Sequence, residues 1–279
     1  MEKITIGALP AVRIGAADGA RASITLYGGH LVSWQAADGR ERLFCSALSA
    51  LDGSRAIRGG VPVIFPQFGA RGKGLRHGFA RVSTWRLSGG GQDGEQHFAE
   101  FCLNQDDLPP KLAADWPYAF ELRLRVALQP DGLDLSLSVR NTGAAPFPFS
   151  AALHTYFLVE NLDDCVVAGL QHLRYSDDSD AMALQEEPAL RMGGKIDRIY
   201  YQLPGALGLK AGAQALRLEQ DGFTDAVVWN PGAADAAALV DLEDEEYRRF
   251  VCVEPALIEP DSLAAGAEWS GLHRIRIAE

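Results

Sequence analysis

Two segments far apart in the chain carry the side chains best suited to moving protons. In Phe149-Ser-Ala-Ala-Leu-His154-Thr-Tyr-Phe157, strand alternation sends Phe149, Leu153 and Phe157 to one side. Ser150, Ala152, His154 and Tyr156 go to the other, which sets the imidazole among small residues and a phenol, as the wall of a pocket requires. A core histidine bonded to the tyrosine would show the same local pattern. In Phe250-Val-Cys-Val-Glu254-Pro255 an apolar strand ends on a carboxylate that shares a face with Phe250 and Cys252. Desolvation there disfavours the charged form and raises the pKa toward neutrality, which is what a general base needs. Taken alone, that run reads more simply as a strand-end acid bonded to a turn or an arginine.

A second constellation could bind rather than react. Residues 53–92 hold seven basic side chains (Arg55, Arg58, Arg71, Lys73, Arg76, Arg81, Arg86) and no acid, although the protein is acidic overall, with 37 acids and a net charge of −11. At that composition a window of this length would carry about five acids, so the island is a feature of the chain. Within it, Arg58-Gly-Gly-Val-Pro-Val-Ile-Phe-Pro-Gln-Phe-Gly69 is followed by His77-Gly-Phe-Ala-Arg81. Arginine forks beside flexible glycines suit an oxyanion or a cluster of sugar hydroxyls. A solvated basic loop is the competing reading, and the apolar Val-Pro-Val-Ile-Phe-Pro core of the segment favours binding. His77 could be an ordinary turn histidine; among cations its protonated form is disfavoured, which suits a neutral hydrogen-bonding imidazole. Asp197 and Asp225 each lie near aromatic residues, a pairing common where sugars are held, and Asp225 reads more readily as a solvent-facing strand or turn residue.

The elements that must position these groups are mostly strands. Leu122–Leu128 and Leu133–Val139 alternate with period two around Gln129-Pro-Asp-Gly132 and predict a β-hairpin. Strands are also predicted over 22–27, 97–103, 147–159, 226–230, 250–254 and 273–277, while 43–51, 108–114 and 182–192 could each form a short turn or helix. Many short strands without βαβ alternation imply an all-β fold of antiparallel sheets packed as a sandwich, with residues 1–279 as one domain.

The remaining features narrow the class of function. The negative charge disfavours nucleic acid and anionic membrane as partners. The N-terminal residues lack a basic segment followed by an apolar run, and no stretch is long and apolar enough to span a bilayer, so a cytoplasmic location is expected. The four cysteines are dispersed among apolar neighbours and read as reduced, buried small hydrophobes. The six histidines show no metal-binding spacing and no phosphate-cradling glycine loop is present, so neither a metal nor another cofactor is expected. Oligomeric state leaves no signal.

Taken in order, Arg58-Gly-Gly-Val-Pro-Val-Ile-Phe-Pro-Gln-Phe-Gly, His77-Gly-Phe-Ala-Arg81, Ala152-Leu-His154-Thr-Tyr-Phe, Asp197-Arg-Ile-Tyr, Val227-Val-Trp-Asn-Pro and Cys252-Val-Glu-Pro resemble the aldose 1-epimerase superfamily, and within it the hexose-6-phosphate epimerase branch. The resemblance implies a galactose-mutarotase-like supersandwich acting on a small sugar phosphate without a cofactor. It further implies Glu254 as general base, His154 as general acid, His77 and Asp197 as groups that orient the sugar, Arg58 as a substrate ligand, and Arg81, with Arg76 or Gln67, near a phosphate. Ring opening needs a proton taken from the anomeric hydroxyl and another given to the ring oxygen, so a base and an acid are expected to face each other across the substrate. One departure is the stretch Gly72-Lys-Gly-Leu-Arg76, which lacks the proline expected ahead of His77. The alternatives are a mutarotase of unphosphorylated aldoses and a non-catalytic carbohydrate-binding or regulatory sandwich.

Overall fold

The computed structural model describes residues 1–177, 181–259 and 262–278. Alternating side chains drive its strands, as the hairpin Phe120–Gln129 and Gly132–Asn141 illustrates: Leu133, Leu135, Leu137 and Val139 are fully buried, while the intervening Asp134, Ser136, Ser138 and Arg140 are not. Among the described residues, this hairpin sits in a nine-stranded antiparallel sheet that also holds Arg86–Asp93, Gln96–Asn104, Cys165–Ala168, Ala189–Arg191, Leu207–Ala211, Gln214–Asp221 and Glu268–Ile277. A four-stranded meander, Glu2–Ile6, Leu9–Gly15, Arg21–Thr25 and His30–Gln35, forms a further sheet.

The third large sheet carries the chemistry. Its central order is Ile196–Tyr200, Asp225–Asn230, Phe250–Leu257, Ala151–Leu153 and Val63–Ile64, with Tyr156–Leu158 also paired to Phe250–Leu257. One face of this sheet presents Leu153, Phe157, Val228, Val251 and Val253 to the main hydrophobic core, which also takes Val12 from the meander and Leu124 from the long sheet. The opposite face forms two smaller apolar clusters, one around Ile64, Ala152, Val227 and Ala256, the other around Phe44, Tyr156, Phe250 and Cys252. This is the antiparallel β-sandwich expected, with two short α-helices, Pro110–Asp115 and Gly232–Ala236, among the described residues. None of the described helices is long and apolar enough to cross a membrane.

Residues 43–51 take the short-turn alternative, with Ser49 N–H bonded to the Ser46 carbonyl at 3.1 Å, and the chain there lies beside its neighbours through the bridges Leu43 to Phe157 and Cys45 to Gly59. Two expectations need correction. Residues 182–192 split at Pro188 into Met182–Leu184 and Ala189–Arg191, which join different sheets; proline withholds an N–H and disfavours a helical conformation in the residue before it. The strand expected over 147–159 is interrupted twice, giving Phe147–Pro148, Ala151–Leu153 and Tyr156–Leu158. The second interruption falls at His154 and Thr155, where Thr155 N–H turns back to the Leu153 carbonyl (2.8 Å) and His154 N–H reaches Pro62 (3.0 Å).

Candidate active site

Strand register decides the centre of the site. Ala152 pairs with Ala256 and Tyr156 with Cys252, so His154 stands opposite Glu254 on the neighbouring strand. The imidazole Nδ1 and the carboxylate Oε1 approach to 3.2 Å. The two groups stand side by side on adjacent strands. Both are buried, His154 at 7% exposure and Glu254 at 1%. His154 Nδ1 and Glu254 Oε2 have no hydrogen-bond partner, the 3.2 Å approach being too poorly aligned to count as a bond. Buried polar atoms of this kind are costly to leave unsatisfied and point to a ligand that would satisfy them.

Burial also sets their proton affinities. It holds the His154 pKa well below its usual range, helped by His77 and by the cationic Arg81 and Arg58. It pushes the Glu254 pKa well above the carboxylate range, helped by the charge of Asp197, with Arg81 acting the other way. Both directions favour a protonated carboxyl group beside a neutral imidazole.

The surrounding side chains are held in a connected arrangement. The Tyr156 ring stacks on His154 with centroids 4.8 Å apart, and Trp229 meets the imidazole edge-on at 5.8 Å. The tyrosine is therefore a stacking partner, and its hydroxyl accepts a hydrogen bond from Arg58 Nη1 at 3.0 Å. The Arg58 fork grips Asp241 through Nε (3.2 Å) and Nη2 (3.3 Å), which leaves one N–H on each terminal nitrogen for a ligand. Asp241 escaped the reading of the sequence because it lies in an acidic stretch, 241–246, that resembles a solvated loop.

His77 adopts a left-handed backbone conformation (φ 63°) and its ring lies 5.7 Å from that of His154. Its Nδ1 accepts from Gly69 N–H at 3.3 Å, which leaves the proton of the neutral ring on Nε2. Burial first, then Arg81, Arg76 and Arg58, lower its pKa to about 3, so the neutral imidazole expected from the basic neighbours owes more to desolvation than to charge. Arg81 is half-buried, donates from Nη2 to the Arg76 carbonyl at 2.9 Å, and keeps a buried Nε without a partner. Arg76 is exposed. Asp197 is half-buried and pairs in register with Trp229, which pairs with Cys252, which pairs with Tyr156, so these four form one row across the floor.

Other candidates do different work. Gln67 braces its own loop, with Oε1 accepting from Gly74 N–H at 2.9 Å and Nε2 directed to the Gly69 and Gly74 carbonyls. Asp225 is buried at 4% exposure rather than solvent-facing, and accepts from Gln202 N–H (3.1 Å) and Ile258 N–H (3.0 Å). The glycines after Arg58 serve backbone packing instead of presenting N–H groups to an anion: a Cβ on Gly60 (φ 59°) would lie 2.2 Å from the Leu31 carbonyl oxygen. Three cysteines are buried and all four are free, with Cys45 half-buried. His154, Cys252 and Glu254 offer ligand atoms within 4.8 Å of one another, a donor set that no local sequence spacing reveals because it spans two strands.

Known proteins resemble this chain in sequence and fold over nearly its whole length. Residues 10–276 match the family model described as aldose 1-epimerase. A protein of Cenchrus ciliaris named "putative glucose-6-phosphate 1-epimerase" is 36% identical over 264 residues, covering 90% of this chain and 79% of its own. An Escherichia coli K12 protein of the same name is 33% identical over 245 residues, covering 85% and 79%. Among solved structures, a "putative mutarotase" from Salmonella typhimurium superposes with a TM-score of 0.89 at 25% identity, covering 99% of this chain and 93% of its own. A galactose mutarotase-like protein from Clostridium acetobutylicum gives 0.79 at 18% identity, covering 100% and 98%, a likeness of fold.

Proposed function

We propose that this chain, which belongs to the aldose 1-epimerase family, interconverts the α and β anomers of a hexose 6-phosphate, with His154 and Glu254 as its proton-transfer pair. The observation that carries this reading is the 3.2 Å approach of two buried groups with unsatisfied atoms on one floor. In a pyranose the anomeric hydroxyl and the ring oxygen are bonded to the same carbon, so neighbouring groups can serve both. One takes the hydroxyl proton as the other protonates the ring oxygen, the C1–O5 bond opens, rotation about C1–C2 exposes the other aldehyde face, and the exchange reverses on closure. The pair carries one proton throughout, so none has to enter from solvent.

The basic residues support a phosphorylated substrate. Burial first, then His77, Arg81 and Arg58, hold the His154 pKa down, and a phosphate dianion beside the two arginines would offset their part of that effect. That offset shifts the pair toward imidazolium and carboxylate, the state in which Glu254 is the base and His154 the acid in the opening direction. In this reading His77 Nε2–H and Asp197 orient hydroxyl groups, and Arg76 contacts the phosphate. Hexose phosphates are charged and retained inside cells, so this reading carries a cytoplasmic location with it.

One observation favours a mutarotase of unphosphorylated aldoses instead: the Arg58 fork is already engaged by Asp241 and Tyr156. Comparing kcat/KM for glucose 6-phosphate and glucose separates the two. Two charge-assisted hydrogen bonds of about 1.5–3 kcal/mol each predict a preference of about 10²–10⁴ for the phosphosugar. Equal values overturn the phosphosugar reading, and no turnover of either sugar with retained binding would indicate a carbohydrate-binding module.

A further inference from the structure

We propose that His154, Cys252 and Glu254 form a binding site for a thiophilic divalent cation of the zinc class, which occupies the pocket floor in competition with the sugar. The binding claim rests on the geometry of the floor; the competition rests on the catalytic reading above.

Three observations support the site. The donors come from facing positions on adjacent antiparallel strands: Cys252 pairs with Tyr156, and Glu254, two residues on, shares its face and stands opposite His154. Their ligand atoms lie within 4.8 Å of one another. Zinc takes a thiolate at about 2.3 Å and imidazole or carboxylate at about 2.0–2.2 Å, so small side-chain rotations bring all three onto one ion. Second, His154 Nδ1 and Glu254 Oε2 are buried without partners, so these donors are not committed to other protein groups. Third, ring opening requires one acid and one base, and Cys252 is a buried nucleophilic group that the reaction leaves unused.

The donor set selects the ion. One nitrogen, one sulfur and one oxygen suit a zinc-like cation with a fourth position left open, whereas magnesium and calcium prefer all-oxygen shells. Coordination converts the Cys252 thiol to thiolate and the Glu254 carboxyl to carboxylate, releasing their protons, so affinity rises with pH.

The full chain, stripped with a chelator, is titrated with cadmium while the ultraviolet thiolate-to-cadmium absorption is followed, and anomer exchange is assayed with zinc. The expected result is one equivalent bound, with absorption lost in Cys252→Ser and Cys252→Ala and affinity weakened at least tenfold in Glu254→Gln. Zinc should raise the apparent KM, with relief by chelator, and both cysteine variants should need at least tenfold more zinc for the same inhibition. Absorption that persists in both cysteine variants, or no absorption at all, overturns the site. Cysteine-dependent absorption without inhibition supports the cation site and overturns the placing of the sugar on this floor.

Discussion

The rings of His154 and Tyr156 lie 4.8 Å apart and within 8° of parallel, and the hydroxyl of the same tyrosine accepts from Arg58 Nη1 at 3.0 Å. Tyr156 is thus the physical link between the proton-transfer pair and the basic island. Its stacking fixes the imidazole plane, and its hydroxyl helps aim the guanidinium.

These two roles separate under mutation. Tyr156→Phe keeps the stack and removes one charged hydrogen bond, while Asp241 still holds Arg58. The expected loss is about tenfold in kcat/KM, mostly in KM, corresponding to about 1.5 kcal/mol. Tyr156→Ala removes a buried aromatic side chain and should destabilise the fold by about 3–5 kcal/mol. Steady-state kinetics and urea unfolding of both variants distinguish the roles; a kcat loss in Tyr156→Phe as large as that expected for Glu254→Gln would put the tyrosine in the proton transfer itself.

Acid sensitivity follows from the buried histidines. Burial lowers the pKa of His77 to about 3 and those of His30 and His273 to about 4. Between those values and about 6.5 the unfolded chain binds protons that the folded chain does not, so their contribution to stability is present above about pH 6.5 and is lost as pH falls. Each fully titrating histidine contributes a slope of about 1.4 kcal/mol per pH unit. Glu254 acts in the opposite sense, because its raised pKa makes the fold lose stability as pH rises above the ordinary glutamate range. Urea midpoints measured from pH 7.5 to 5 should decline, and His273→Gln, whose parent side chain bonds to the Glu219 carbonyl away from the site, should flatten that decline. An unchanged slope in the variant contradicts the assignment.

Gly60 offers a test of how Arg58 is positioned. Its φ is 59°, and a Cβ at this position would meet the Leu31 carbonyl oxygen at 2.2 Å, so no side chain fits. Gly60→Ala combines left-handed strain of about 1–2 kcal/mol with overpacking of about 1–3 kcal/mol. The expected outcome is a urea-unfolding stability lower by about 2 kcal/mol or more, with KM raised through displacement of Arg58. A variant as stable as the parent would show that the Arg58-Gly-Gly turn is not constrained in this way.

The strands were largely legible in the sequence because alternation over a half-buried sheet is a local property: the hairpin around Gln129–Gly132 and the facing assignments of Leu153 and His154 could be read directly. Glu254 and Cys252 were likewise legible as sharing a face. Their registration against His154 was not, since it depends on which strands pair. Neither was the grip of Asp241 on Arg58 across 183 positions of sequence, nor the burial of Asp225 between backbone donors. The pattern at 182–192 misled because Pro188 divides a chain segment whose apolar residues are spaced as a helix would space them.

Anomer exchange by Glu254→Gln, followed by polarimetry or NMR on glucose 6-phosphate, is the most direct measurement. The substitution keeps the shape of the floor and removes the exchangeable carboxyl proton opposite His154. The rate should fall at least about 10²-fold with the fold and sugar binding retained. A rate within about twofold of the parent protein would contradict proton transfer through this pair.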